Sequence, residues 1–249
     1  MKKKLAQIAL SIVGLAVIPS AYAQTFQVKV ENLGPQPLSP LIGIAHNAGF
    51  DIFTSGSSAS LGIKRIAEGG NTAALESIIA GAGSDIGGWG KVAGGPIAPG
   101  ETRIFSFTTD ASHPFFSFAA MLGKTNDGWI GIGQGDEALN LFSGSTAIGG
   151  SYLALGSDAW DAGTEYNSQN AADLGFLGGS GNPVDTEGGL IRHHAGIISG
   201  RGDSEAQLPA WTQNQELARV TVAPVPEPAT MATLGLGLFG LLKRKRKQN

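Results

Sequence analysis

The chain has 249 residues, with 17 Lys and Arg against 20 Asp and Glu, a formal net charge of −3 and no cysteine. The missing cysteines exclude a disulfide framework, thiolate metal sites and Cys nucleophiles. Basic residues crowd the two ends, so residues 24–222 hold 9 Lys and Arg against 19 Asp and Glu, a balance of about −10. That sign excludes binding nucleic acid through its phosphates and suits cations.

The first segment has the order of a secretory signal. Lys2, Lys3 and Lys4 precede an apolar stretch over 5–18, and the small-residue pattern Ala21-Tyr22-Ala23 closes it. A signal helix over 1–23 with cleavage before Gln24 follows from that order. Residues 24–222 are then predicted as one domain, since about 200 residues suffice for a single core.

Within that domain, residues 24–31 alternate apolar and polar side chains, the pattern of a strand with one buried face. Short apolar runs at 41–45, 102–108, 115–121, 129–132 and 218–222 are separated by stretches rich in Gly, Asn and Asp. The pattern predicts an all-β fold, an antiparallel β-sandwich with long loops. Helical spacing appears at 63–68 and 72–79, with Gly69-Gly70 as the break and Asn71 as N-cap of the second helix. The stretch 175–189 is so rich in Gly, Ser and Asn that no regular structure is assigned to it.

Pro224, Pro226 and Pro228 make 223–230 an extended linker. An apolar run over 231–242 follows, then Lys243-Arg244-Lys245-Arg246-Lys247, so 231–249 reads as a hydrophobic helix with a basic tail. The run is shorter than the roughly 20 residues that span a bilayer, and Gly235, Gly237 and Gly240 weaken it further. A basic tail is retained in the cytoplasm, so this segment is expected to hold the chain in the membrane only until it is processed. Pro226-Glu227-Pro228, the short Gly- and Leu-rich helix and the basic cluster together resemble the PEP-CTERM sorting signal. The resemblance implies an exosortase-type processing enzyme, cleavage near the Pro-Glu-Pro motif and delivery to the surface or extracellular matrix.

Carboxylates concentrate in two places. Asp127 lies in Thr125-Asn126-Asp127-Gly128-Trp129, and Asp158, Asp161 and Glu165 lie within Ser157-Asp158-Ala159-Trp160-Asp161-Ala162-Gly163-Thr164-Glu165. Calcium takes six to eight oxygens from carboxylates, carbonyls and water, and loops of Asp and Gly supply them. The spacing is not that of an EF-hand, and by composition these stretches are either solvated acidic loops or a metal site.

Several pieces then occur in one order: Leu38-Ser39-Pro40-Leu41 with His46, Phe53-Thr54-Ser55-Gly56, Ala59-Ser60-Leu61-Gly62-Ile63-Lys64, Ile66-Ala67-Glu68-Gly69-Gly70, Asn126-Asp127-Gly128-Trp129-Ile130-Gly131 and Trp160-Asp161-Ala162-Gly163-Thr164-Glu165. Over Phe26 to about Val222 this resembles the spondin N-terminal domain. The resemblance implies a C2-like sandwich of secreted and matrix-associated proteins that binds calcium. It implies Asp127 and Asp161 as metal ligands, a carbonyl near Ser157 or Asp158 as a third, and Glu165 as a further ligand, direct or through water. The chain departs from the animal members in lacking cysteines, and its Gly-rich stretches at 81–100 and 175–189 have no placed counterpart.

The remaining motifs carry less. His193-His194 are adjacent on an extended chain and would point to opposite faces; His46 reads as a structural hydrogen-bonder and His113 as a turn residue. Gly178-Gly179-Ser180-Gly181 lacks the strand-to-helix setting of a nucleophile elbow. Gly131-Ile132-Gly133-Gln134-Gly135 lacks a nucleotide-binding context, and Arg201-Gly202-Asp203 is a three-residue match to an integrin-recognition tripeptide. The expectation is an exported, calcium-binding adhesive or structural module, not an enzyme, with a matrix glycan or protein as partner. The alternative is a secreted hydrolase of matrix polysaccharide or esters, which needs His193, His194 and Asp185 to converge.

Overall fold

The computed structural model describes residues 23–133, 138–177, 187–197, 202 and 211–226. The signal segment, the sorting helix and tail, Ser180, Asp185, Arg201, Asp203 and the residues 134–135 lie outside the described residues. The elements are β1 (Gln24–Asn32), β2 (Ile42–His46), α1 (Leu61–Gly69), α2 (Ala73–Gly81), β3 (Ile86–Lys91), β4 (Thr102–Thr109), β5 (Phe115–Met121), β6 (Gly128–Ile132), β7 (Leu139–Asn140), β8 (Phe142–Ser143), β9 (Thr146–Ala147), β10 (Gly150–Leu155), β11 (Trp160–Asp161), β12 (Arg192–His193) and β13 (Glu216–Pro224). Among these residues no helix is long and apolar enough to cross a membrane.

Two antiparallel sheets make the sandwich. One runs β10-β13-β1-β4; the other runs β12-β11-β6-β5-β2-β3, with β7 also paired to β5. The alternation in β1 turns Phe26, Val28 and Val30 inward. Register sets Phe26 opposite Phe107 and Val28 opposite Phe105 on β4, and Val28 opposite Val222 on β13. From the second sheet Phe116, Phe118, Ala120, Ile130 and Ile132 complete this core.

The second sheet is buried on its other face as well. There Ile42, Ile44, Ala119 and Trp129 pack with Ile63, Ile66 and Ala67 of α1 and Leu75 and Ile79 of α2. Strands covered on both sides read as continuous apolar runs rather than alternating ones, which is the pattern of β2, β5 and β6. The two helices are therefore a third layer on the sandwich, not loop ornaments.

Ser60 starts α1: its Oγ accepts the Ile63 N–H at 3.2 Å, and the helix ends at Gly70 with φ of 67°. Ser60→Ala is expected to lower stability by about 1 kcal/mol, measurable as a shift of the urea midpoint without a change of slope. At α2 the cap position is Thr72, with no capping bond from its side chain. Asn71, one residue earlier, supplies that bond instead, its Oδ1 accepting the Ala73 N–H at 2.9 Å.

Strand β3 (Ile-Gly-Gly-Trp-Gly-Lys) borders the second sheet where it meets β4 of the first. A Cβ on Gly88 would stand 2.1 Å from the Thr108 carbonyl oxygen, so only glycine permits that approach. Within the first sheet, β13 is inserted between β10 and β1. Beyond it the Val225 N–H donates to the Thr25 carbonyl at 2.8 Å, and Gln24 Nε2 donates to the Val225 carbonyl at 2.7 Å.

Candidate metal centre

A tight turn delivers the first carboxylate. Thr125 Oγ1 donates to the Leu122 carbonyl at 2.7 Å and accepts the Gly128 N–H at 2.9 Å, which folds 122–128 back on itself. Asp127 is thereby placed at the start of β6. Across the ladder Gly128 faces Asp161 and Trp129 faces Trp160, so the two aspartates come from neighbouring antiparallel strands, and the Ala162 N–H reaches the Asp127 carbonyl at 3.2 Å.

The chain after Asp161 turns sharply. Asp161 Oδ1 accepts the Gly163 N–H at 2.8 Å, and Gly163 takes φ of 66°, a left-handed conformation natural to glycine. The turn aims the next two amides at Asp127: its Oδ2 accepts the Thr164 N–H at 2.8 Å and the Glu165 N–H at 3.1 Å. One carboxylate thus clamps the Asp-Ala-Gly-Thr-Glu turn against the 122–128 turn. Asn126 pins the chain further on, its Oδ1 accepting the Gln169 N–H and its Nδ2 donating to Ser168 Oγ.

All three carboxylates are buried: Asp127 is 0%, Glu165 2% and Asp161 4% exposed. Asp127 Oδ1 and Glu165 Oε1 have no hydrogen-bond partner, an expensive condition for buried acceptors. Burial, together with the Asp161 charge, pushes Asp127 up to about 6 against the two amides that hold it. Burial, with Glu68 and Asp127 adding to it, pushes Glu165 up to about 8. Asp161 is raised by burial too, opposed by the Gly163 N–H and Arg192.

Positive charge reaches this region from two sides. The Arg192 guanidinium lies 3.3 Å from Asp161 Oδ2 and 2.5 Å from Glu187 Oε1. On α1, Lys64 pairs with Glu68 at 3.0 Å, and its charge favours the ionised form of Glu165. Buried carboxylates with open lone pairs are the donor set a hard divalent cation takes. Among the described residues no group of three or more Asp, Glu or His side chains forms a metal cage, so carbonyls or water would have to complete any coordination shell.

Ser157 stands apart from these contacts. It is exposed in a short turn, its Oγ donates to Asp158 Oδ1 at 3.1 Å, and its N–H donates to the Gln213 carbonyl at 2.9 Å. The histidines are tied up separately. His194 is buried, accepts the Gly196 N–H at Nδ1 and is pushed down to about 4 by burial. His193 is exposed and stacks on Trp160 with ring centres 4.3 Å apart. His46 is wholly buried between the Asn47 carbonyl and Ser117 Oγ, 2.8 Å from each.

Sequence reading missed Arg192, because attention in that stretch falls on the neighbouring histidines. Its relation to Asp161 spans 31 residues, and no short-range motif encodes it.

The fold is an all-β sandwich whose buried carboxylates Asp127, Asp161 and Glu165 gather in two neighbouring turns. The family model Spondin_N matches residues 21–172, and the chain belongs to the spondin N-terminal family. The PEP-CTERM protein-sorting motif matches residues 224–247. The protein is therefore exported to the cell surface or extracellular space, anchored in the membrane by its C-terminal segment before an exosortase-type enzyme processes it. No curated protein matches the chain. The Spondin_N match stops short of Arg192 and of β13, which completes the first sheet.

Proposed function

We propose that this protein is a calcium-stabilised adhesive or structural module of the cell surface or extracellular matrix, and not an enzyme. The observation that carries the reading is Asp127. Its side chain is wholly buried, one oxygen clamps the 164–165 amides, the other has no partner, and Asp161 and Glu165 are the buried carboxylates coupled to it. Asp127 and Asp161 would hold the ion together with carbonyls and water, Glu165 contributing through water, and the ion's double positive charge would keep the carboxylates ionised. Asp127 orients the turn that carries Glu165, and the Gly163 amide orients Asp161. With the two turns fixed, the loops at this end of the sandwich present a constant surface to a matrix glycan or protein.

The test is calorimetric titration of the exported chain with calcium after chelator treatment, paired with thermal melting. Binding with a clear rise in Tm, both lost in Asp161→Ala, is the expected result. An unchanged Tm and no heat at millimolar calcium would dispose of the reading and leave the export and sorting of the module intact.

A further inference from the structure

Asp161 has two carboxylate oxygens, and both are engaged. Oδ1 accepts the Gly163 N–H, and Oδ2 faces the Arg192 guanidinium at 3.3 Å. Asp127 and Glu165 each keep one oxygen without a partner, whereas both Asp161 oxygens are taken, Oδ2 by a cation. The same register that pairs Asp161 with Gly128 pairs it with Arg192 on the other side. We propose that Arg192 is a built-in counter-cation that competes with a divalent ion for Asp161 Oδ2 and so sets the affinity of the centre.

The proposal deepens the reading of the centre as a cation site and rests on it. Its physical basis is that two cations cannot both draw full strength from one carboxylate oxygen, and that they repel each other across it. The backbone around Arg192 is fixed, because the Ile191 N–H donates to the Ser57 carbonyl at 2.9 Å and the His194 N–H to the Ala159 carbonyl at 2.7 Å. The side chain is not: it is 49% exposed. Glu187 Oε1, at 2.5 Å, is the closer partner and offers the guanidinium a berth once a divalent ion takes Oδ2. In the metal-free protein Arg192 offsets the buried charge of Asp161; in the loaded protein it retreats to Glu187. Arg192 therefore stabilises one state and opposes the other.

Arg192→Gln separates this role from a merely structural one, because the two readouts move in opposite directions. Calcium affinity of the full exported chain, measured by calorimetry, should tighten about tenfold with the charge removed, while Tm in chelator falls. Arg192→Lys, which keeps the charge, should stay close to wild type in affinity. Unchanged or weaker binding in Arg192→Gln, with wild type binding calcium, overturns the proposal and leaves the centre standing. Binding by Arg192→Gln where wild type shows none supports it in its strongest form, with the guanidinium holding the cation's place outright. If neither protein binds calcium, this proposal and the metal reading fall together.

Discussion

Asp127→Asn is expected to melt above wild type in chelator at pH 7.5, although it removes a residue at the heart of the centre. The wild-type carboxylate carries its charge in a wholly buried position near Asp161, with its pKa moved from 3.8 to about 6. That shift corresponds to about 3 kcal/mol of destabilisation at neutral pH. Asparagine keeps an acceptor for the Thr164 and Glu165 amides and discards the charge, so most of the penalty goes. A gain of that size raises Tm by roughly 6–12 °C in a domain of this length. Asp127→Ala also discards the charge but leaves two amides without an acceptor, at about 1–3 kcal/mol each, and should lie well below Asp127→Asn. Calcium should no longer raise the Tm of either variant. If Asp127→Asn melts below wild type in chelator, the charge at 127 is not the burden that its burial implies.

The second large effect is an acid-induced gain in stability. Glu165 is held at about 8 in the fold against 4.5 when unfolded, so its contribution is full below about 4.5 and is lost as pH rises through 8. Asp127 acts the same way, fully below about 3.8 and lost through about 6. His194 acts in the opposite direction: its pKa falls from 6.5 to about 4, so its contribution is present above 6.5 and lost as pH drops toward 4. His46, lowered by burial, sides with His194. Between pH 8 and 6.5 Glu165 outweighs the opposing histidines, and stability in chelator should rise by about 1 kcal/mol across that window. Melting curves at the two pH values check the sign, and Glu165→Gln should flatten the difference. Saturating calcium should reverse the slope, because the ion requires the ionised carboxylate and binding then releases a proton.

How much of this was legible in the sequence depended on the range of the information. Strand β1 alternates and is exposed on one face, so its period declared it, while β4 stood out as a short apolar run. The buried strands β2, β5 and β6 declared themselves as short apolar runs. Strand β3 gave no such signal, because the contact with β4 demands glycines where a strand would normally carry Val or Ile. Strands β11 and β12 are two residues each, below the length at which any period can register, yet they set Asp161 between Gly128 and Arg192. Asp127 and Asp161 were legible through motifs that surround each of them closely. The pairing of Asp161 with Arg192, and the burial that leaves Asp127 Oδ1 and Glu165 Oε1 without partners, come from the packing of distant segments and have no local signature.

The position of β13 has a consequence for how the protein is made. It is the last strand among the described residues, yet it is a central strand of its sheet, bridging β10 and β1. Gln24 and Val225, bonded to each other, are 201 residues apart in sequence. The first strand therefore waits through nearly the whole of synthesis for the neighbour that closes its row of Phe26, Val28 and Val30. Such a long closing distance slows folding. A chain that stops before residue 216 leaves β1 and β10 with open edges, which recruit other strands and aggregate. The sorting motif begins at residue 224, where β13 ends, so a molecule able to seal its sheet has already passed the start of its address.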